Sequence, residues 1–500
     1  MRLDTDPAHR RLLSDIASHL GAWGIAGWVA GGFLRDAMLR RAAGDIDITL
    51  DADPLEISEA LAQAIEAHVV VLDSERRHVR LVSRSGDGFI DLTPLRAADI
   101  IGDLGLRDYT VNAMAGEISA VAGCEFELLD PTGGRDDLEA RLLRAICEQS
   151  FAADPLRLLR GPRLATQLDF EIEGGTAEMI CRLAPTIVAA SPERQREEIM
   201  RVFATDRAAH GVRLLDSLGL FPHVLGEMEV TRDVEQPKEH YFDVLGHSFA
   251  AVDFLDTLMA ERPPVESPAR DLWETLWEGL AHFGGVRDYF REPVSGFPRS
   301  ALLKLCGLLH DIGKPATKRF QEDGRMRFFG HGDVGAEIAL QLMRRLRFSG
   351  REAGIVKAMI VAHLRPIQLG EQRRPSRKAV YKFFRDTGEA GVDTLFLSLA
   401  DHLGTLGPRL SLEGFANHVA LTAYILQMRF REEGVVSPPQ LVDGDELMKH
   451  LGVAPGPLLG RLLECVREAQ AAGEVTTAAQ AVEVAHRELA RERRAGGVPQ

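Results

Sequence analysis

At 500 residues the chain is too long for one hydrophobic core, so about three or four domains are expected. An apolar fraction of 45% and a charged fraction of 27% exclude a disordered or fibrous chain, and no apolar run approaches the ~18 residues of a membrane span. The net charge of −15 argues against a uniformly basic nucleic-acid binder, and five scattered cysteines (124, 147, 181, 306 and 465) with no paired spacing exclude a zinc ribbon or disulfide framework. With no basic-then-apolar leader at the N-terminus, the reading is a chain of the reducing cytoplasm.

In chain order, residues 28–30 before Gly31-Gly32 read as a strand ending in a glycine turn. Residues 46–50, 69–72, 79–82 and 89–92 read as further strands, and 55–67 and 135–146 have helical spacing. From about 146 onward the pattern is almost wholly helical. Breaks are expected at Pro263-Pro264, in the Gly/Pro-containing segment 284–298 and at Ser437-Pro438-Pro439, and fraying at 495–500. Between Arg299 and Arg385 there are 19 Lys/Arg against 7 Asp/Glu, a balance of +12. Within that span lies Arg373-Arg374-Pro375-Ser376-Arg377-Lys378. Such a patch can neutralise phosphates while the rest of the chain stays acidic, or it can be a solvated helix face.

The first chemical signal is Gly31-Gly32-Phe33-Leu34-Arg35-Asp36 followed by Asp45-Ile46-Asp47. Alternate residues of a strand share a face, so Asp45 and Asp47 project together. Two adjacent carboxylates stay ionised most readily around a divalent cation, and two Mg2+ ions suit in-line attack on a phosphate. Asp91, in another strand-like run, completes a triad, and the diglycine lets the backbone approach a triphosphate.

This pattern resembles the first motif of class II tRNA nucleotidyltransferases and bacterial poly(A) polymerases, which share a polymerase-β-like head. Later motifs follow in the family's order. Arg107-Asp108-Tyr109-Thr110-Val111-Asn112-Ala113 is similar to the second, which contacts nucleotide sugar and phosphates. Asp130-Pro131-Thr132-Gly133-Gly134 with Asp137-Leu138 is similar to the third, and the run from Asp154 to Arg163 to the fourth. Glu193-Arg194 with Glu197 is similar to the fifth.

The resemblance implies that Asp154 and Arg157 read the base. Three apart, they would share a helix face. A carboxylate accepts from an exocyclic amine and a guanidinium donates to a ring nitrogen, which suits cytosine and adenine and rejects uracil and guanine. Arg160 and Arg163 would extend the basic face towards the triphosphate. One departure is Ala153, where the family has Glu.

In the second half, His247, His310-Asp311, His331, His363 and Asp401 occur in an order that resembles the HD phosphohydrolase domain, whose helices converge on one or two divalent metals. Imidazole and carboxylate donors suit manganese, iron, nickel or magnesium. Residues 441–485 resemble the family's tRNA-binding tail.

The expectation is therefore an α+β chain: a nucleotidyltransferase head (1–145), an all-α neck with the base-reading motif (146–225), an HD body (226–405) and a helical tail (406–500). Asp45, Asp47 and Asp91 would be catalytic with two Mg2+. Gly31, Gly32, Arg35, Arg107, Asp108, Asn112, Asp154, Arg157, Arg160 and Arg163 would bind the nucleotide. The partners would be tRNA, CTP and ATP. Full CCA-adding members have a longer flexible loop between the third acid and the second motif, a lever for switching from C to A. Here only ten residues, 97–106, separate Arg96 from Arg107, so the resemblance points to CC addition. A poly(A) polymerase is the nearest alternative, against which the mixed-charge C-terminal segment speaks. An HD hydrolase with a catalytically dead head is the alternative from another class.

Overall fold

The structure, a computed structural model, describes residues 6–41, 44–84, 88–370, 374–431, 436 and 438–494. Arg373, Ser437 and the expected frayed end at 495–500 lie outside the described residues. The chain forms two compact units, Met1–Ser191 with Leu215–His223, and Pro192–Leu214 with Val224–Gln500. Among the described residues no helix is long and apolar enough to cross a membrane.

The first unit is built on a six-stranded sheet in the order β3-β4-β5-β2-β1-β6. Its strands are β1 (Gly27–Ala30), β2 (Ile46–Leu50), β3 (Ala67–Asp73), β4 (His78–Ser83), β5 (Phe89–Pro94) and β6 (Ala115–Glu117). Strands β2 and β5 are parallel, and the pairs β1–β2 and β4–β5 are antiparallel. Period-two alternation separates two faces. Ile46, Ile48, Leu50, Val79, Leu81, Ile90 and Leu92 pack into one core with Leu13, Ile16 and Leu20 of helix α1 (Pro7–Ala22). The intervening residues, Asp47, Thr49, His78, Arg80, Asp91 and Thr93, therefore share the opposite, polar face. Helix α2 (Gly32–Met38) starts directly after β1, and α3 (Pro54–Ala64) is started by Asp53, whose side chain accepts from the Leu55 N–H at 3.0 Å.

The helix expected over 135–146 stops early. It spans Gly134–Glu139, Arg141 turns left-handed (φ 54°), and Leu142–Leu143 pairs in parallel with Glu171–Ile172. Leu143 is fully buried in this strand pair.

The second unit is helical. In the helix Arg299–Leu309 every residue but Ser300 is buried, and the helix Gly391–Leu406 is buried along most of its length. Pro263-Pro264 lies in a loop inside this unit. Segment 284–298 contains the helix Val286–Arg291 and a two-stranded hairpin, so neither expected break divides the units. The basic balance of 299–385 is not a patch in space. Arg299 is buried on Asp393, Lys304 on Asp256 and Lys314 on Asp311. Arg345 pairs with Glu227, Arg351 with Glu389, and Lys378 and Lys382 with Glu468. Acids outside the span, Asp393, Asp256, Glu227, Glu389 and Glu468 among them, neutralise a large part of the excess, and this corrects the charge count.

Candidate active site and metal centre

Asp47 and Asp91 are direct partners across the parallel pair β2–β5, with side chains on the polar face. Asp45 precedes β2 and is half exposed. Gly31 closes the site from below. Its φ is +78°, and a Cβ would stand 2.8 Å from Asp47 Oδ2 and 3.1 Å from Arg107, so only glycine fits. The Gly32 N–H donates to Asp47, whereas a Cβ on Gly32 would meet only ordinary contact with Arg35 at 3.5 Å.

The sequence reading missed Arg80, which lies opposite Asp91 in the β4–β5 register. Its guanidinium donates to both Asp91 oxygens at 2.7 Å and stands 3.8 Å from Asp45. Burial opposes the charge on Asp91, but Arg80 and His78 more than offset it and hold the carboxyl below its usual range. Asp47 goes the other way. Burial and the neighbouring Asp91 raise it, against the pull of Arg107 and Arg160. Three carboxylates with hard oxygens on one polar face, one of them raised by burial, fit a magnesium-type cation.

A hydrogen-bonded network runs out from this face. Arg35 is buried and donates to Asp36 at 2.9 Å and to Asn112 Oδ1 at 2.6 Å. Asn112 donates to Asp108 at 3.2 Å, and Arg160 stands 3.0 Å from Asp108. Arg107 donates to Thr49 Oγ1 at 2.9 Å and lies 3.4 Å from Asp103. Asp103, also missed in the sequence, sits on helix α4 (Ile100–Gly105) with no exposed surface and takes Arg96 at 2.8 Å and 2.9 Å. Gly134 packs so closely on the second motif that a Cβ would lie 2.2 Å from the Thr110 carbonyl.

Asp154 and Arg157 do not share a helix face. Asp154 ends α5 (Glu148–Ala153) in extended geometry, φ −150° and ψ 95°, because the residue before a proline is pushed out of the helical region. Its carboxylate accepts from the Leu156 N–H at 3.3 Å, and Arg76 of the β3–β4 turn stands 3.8 Å away. Arg157 begins α6 (Arg157–Leu168) and donates to the Leu106 carbonyl at 2.8 Å and the Ser150 carbonyl at 3.2 Å. Arg163, on the same helix, is buried and donates to Gln167 at 2.9 Å.

In the second unit the six His/Asp residues come together from five helices or their ends. His247 Nε2 faces His310 Nε2 at 3.1 Å, and His331 Nε2 faces His363 Nε2 at 3.2 Å. Asp311 stands between the pairs. Its Oδ2 is 3.3 Å from His247 and 3.2 Å from His310, and its Oδ1 is 3.4 Å from His331 and 3.8 Å from His363. Asp401 Oδ1 lies 3.0 Å from His247. Donor atoms of His247, His310, Asp311 and Asp401 form one metal-sized group and those of Asp311, His331 and His363 a second.

The tautomers fit metals. His331 and His363 each turn Nδ1 to a backbone carbonyl, of Phe328 at 2.8 Å and Ile360 at 2.6 Å. With Nδ1 donating to a carbonyl, each facing Nε2 can serve as a metal ligand, and an ion held by both would satisfy the buried pair at 3.2 Å. Burial disfavours charge on His310, yet Asp311 and Asp401 push it up to about 10, while burial and His310 press His363 down to about 4. Burial likewise opposes charge on Asp311 and Asp401, but Lys314, His310 and His247 hold Asp311, and His247 and His310 hold Asp401, well below the usual carboxylate range.

Comparison with known proteins agrees with this layout. Family models match at residues 27–144 (poly A polymerase head domain), 169–231 (probable RNA and SrmB-binding site of polymerase A) and 244–406 (HD domain). The chain is 32% identical to the A-adding tRNA nucleotidyltransferase of Deinococcus radiodurans, over 91% of this chain and 93% of that one. It is 33% identical to the CC-adding tRNA nucleotidyltransferase of Thermus thermophilus, over 90% and 91%. Among solved structures, the apo form of a CCA-adding enzyme aligns with a TM-score of 0.60 at 18% identity, over 99% of this chain and 97% of that one.

Proposed function

Since the chain belongs to the tRNA nucleotidyltransferase and poly(A) polymerase family, we propose that it adds cytidines to the 3′ end of tRNA from CTP. Asp45, Asp47 and Asp91 would hold two Mg2+. Those ions supply charge stabilisation at the α-phosphate when bound. The Gly31 turn brings the start of α2 against Asp47, and Arg107 and Arg160 supply positive charge for the triphosphate.

The observation that carries the restriction to cytidine is α4. The ten residues between Arg96 and Arg107 are not a free loop. Six of them, Ile100–Gly105, form a helix capped by Asp99 at 2.8 Å and pinned through the buried Asp103 to Arg96 and Arg107. The carbonyl of Leu106, at its end, holds Arg157. Moving Arg157 to admit a purine would give up its bond to the end of this pinned helix, so the pocket stays sized for cytosine. The similarity to an A-adding relative makes addition of a single adenosine the second reading.

Offering each nucleotide alone to a tRNA that lacks its 3′ tail tests base choice. Wild type is expected to use CTP and reject UTP and GTP. Asp154→Ala and Arg157→Ala are expected to lose about tenfold or more of that discrimination while changing the KM for triphosphate much less. Full discrimination by both variants would contradict the base-reading role.

The second unit is proposed to be a two-metal phosphohydrolase centre, with His247, His310 and Asp401 holding one ion, His331 and His363 the other, and Asp311 shared.

A further inference from the structure

Between the two halves of the His/Asp centre the chain makes a small hairpin. Lys314, whose Nζ lies 2.5 Å from Asp311, belongs to the helix Lys314–Thr317 that leads into it, and His331 follows it. Its strands are Arg319–Phe320 and Met326–Arg327. Phe328 anchors the far side: its ring lies under Lys314 Nζ at 5.6 Å and its carbonyl accepts from His331 Nδ1.

Three features of the hairpin have no structural purpose within the chain. Arg319 and Arg327 are direct cross-strand partners, and like charges placed opposite each other destabilise a two-stranded ladder. Neither has an acidic partner among the described residues, nor does Lys318, whereas Arg325 pairs with Asp323 at 3.2 Å. Phe320 and Phe329 are each 67% exposed, the two most exposed aromatic side chains among the described residues. A single exposed ring is ordinary, but two rings with three unpaired cations within twelve residues combine a stacking surface with phosphate neutralisation.

We propose that residues 318–329 are a docking site for single-stranded RNA at the mouth of the His/Asp centre, an assignment that rests on the chain acting on RNA. Bases stack on Phe320 and Phe329, and the backbone lies across Arg319 and Arg327, relieving their repulsion. The facing guanidiniums favour an anionic strand over an apolar protein partner.

The test uses the full-length protein and a fluorescent, 4-thiouridine-containing single-stranded oligoribonucleotide. Photocrosslinked peptides are mapped by mass spectrometry and affinity is read by fluorescence anisotropy. Crosslinks are expected within 318–329. Phe320→Ala with Phe329→Ala is expected to remove them and weaken binding by about tenfold or more. Arg319→Gln with Arg327→Gln is expected to flatten the salt dependence of binding. Phe320, Phe329 and Arg319 are exposed and Arg327 is half-buried, and unchanged melting curves establish that both variants fold. Absence of crosslinks from the hairpin together with wild-type affinity in both double variants would overturn the proposal and leave a protein partner for the exposed rings. CMP addition to tRNA, measured on the same wild-type preparation, decides the functional reading separately.

Discussion

Asp47→Ala is expected to lower nucleotide addition by at least about a thousandfold, and Asp45→Ala comparably, with no loss of folded protein. A carboxylate that holds a catalytic cation carries several kcal/mol of barrier, and each ~1.4 kcal/mol is tenfold in rate. The fold should be indifferent. Asp47 lies on the polar face of β2, while the core is made by Ile46, Ile48 and Leu50 on the other side. Burial already raises Asp47 against its charge, so removing it relieves a cost. Extension of a tRNA primer with CTP, beside a thermal melt, reads both quantities. Near wild-type addition by a well-folded Asp45/Asp47 double variant would contradict the assignment of the head.

Asp311→Asn is expected to empty both proposed metal positions at once. Its Oδ2 faces His247 and His310, its Oδ1 faces His331 and His363, and no other residue belongs to both donor groups. An amide keeps the shape of the side chain but offers a far poorer ligand, so elemental analysis should find metal reduced to about a tenth or less. Metal-dependent phosphohydrolase activity should fall at least about a hundredfold, while CMP addition continues. The dependence is reciprocal: Asp45→Ala should leave the phosphohydrolase intact. Wild-type protein without bound metal, and without activity in added manganese or nickel, would make the centre purely structural.

The parts legible in the sequence were those written in short-range pattern. Alternation along residues 46–50, 79–82 and 89–92 marks the strands and separates Asp47 and Asp91 from the core residues between them. The six His/Asp residues were legible because they follow in a fixed order along the helical half, five at or near helix ends and Asp401 within the helix Gly391–Leu406. What escaped depends on register and distance. Arg80 meets Asp91 only through the β4–β5 pairing, and Asp103 is buried only because Arg96 and Arg107 fold onto it. The helix face assumed for Asp154 was wrong for a reason that Pro155 carries in plain view. The basic count over 299–385 failed because its counter-charges, such as Glu227, Glu464 and Glu468, lie outside that span.

The most direct test of the account is the length of the product when a tRNA ending just before its 3′ tail is given CTP and ATP together. With α4 pinned between Arg96 and Arg107 and Arg157 held by Leu106, the primer is predicted to grow by two cytidines and stop. Growth by three nucleotides at comparable rates per step would contradict the fixed pocket. A primer untouched by CTP but extended by one adenosine once it ends in CC would contradict the choice of cytidine.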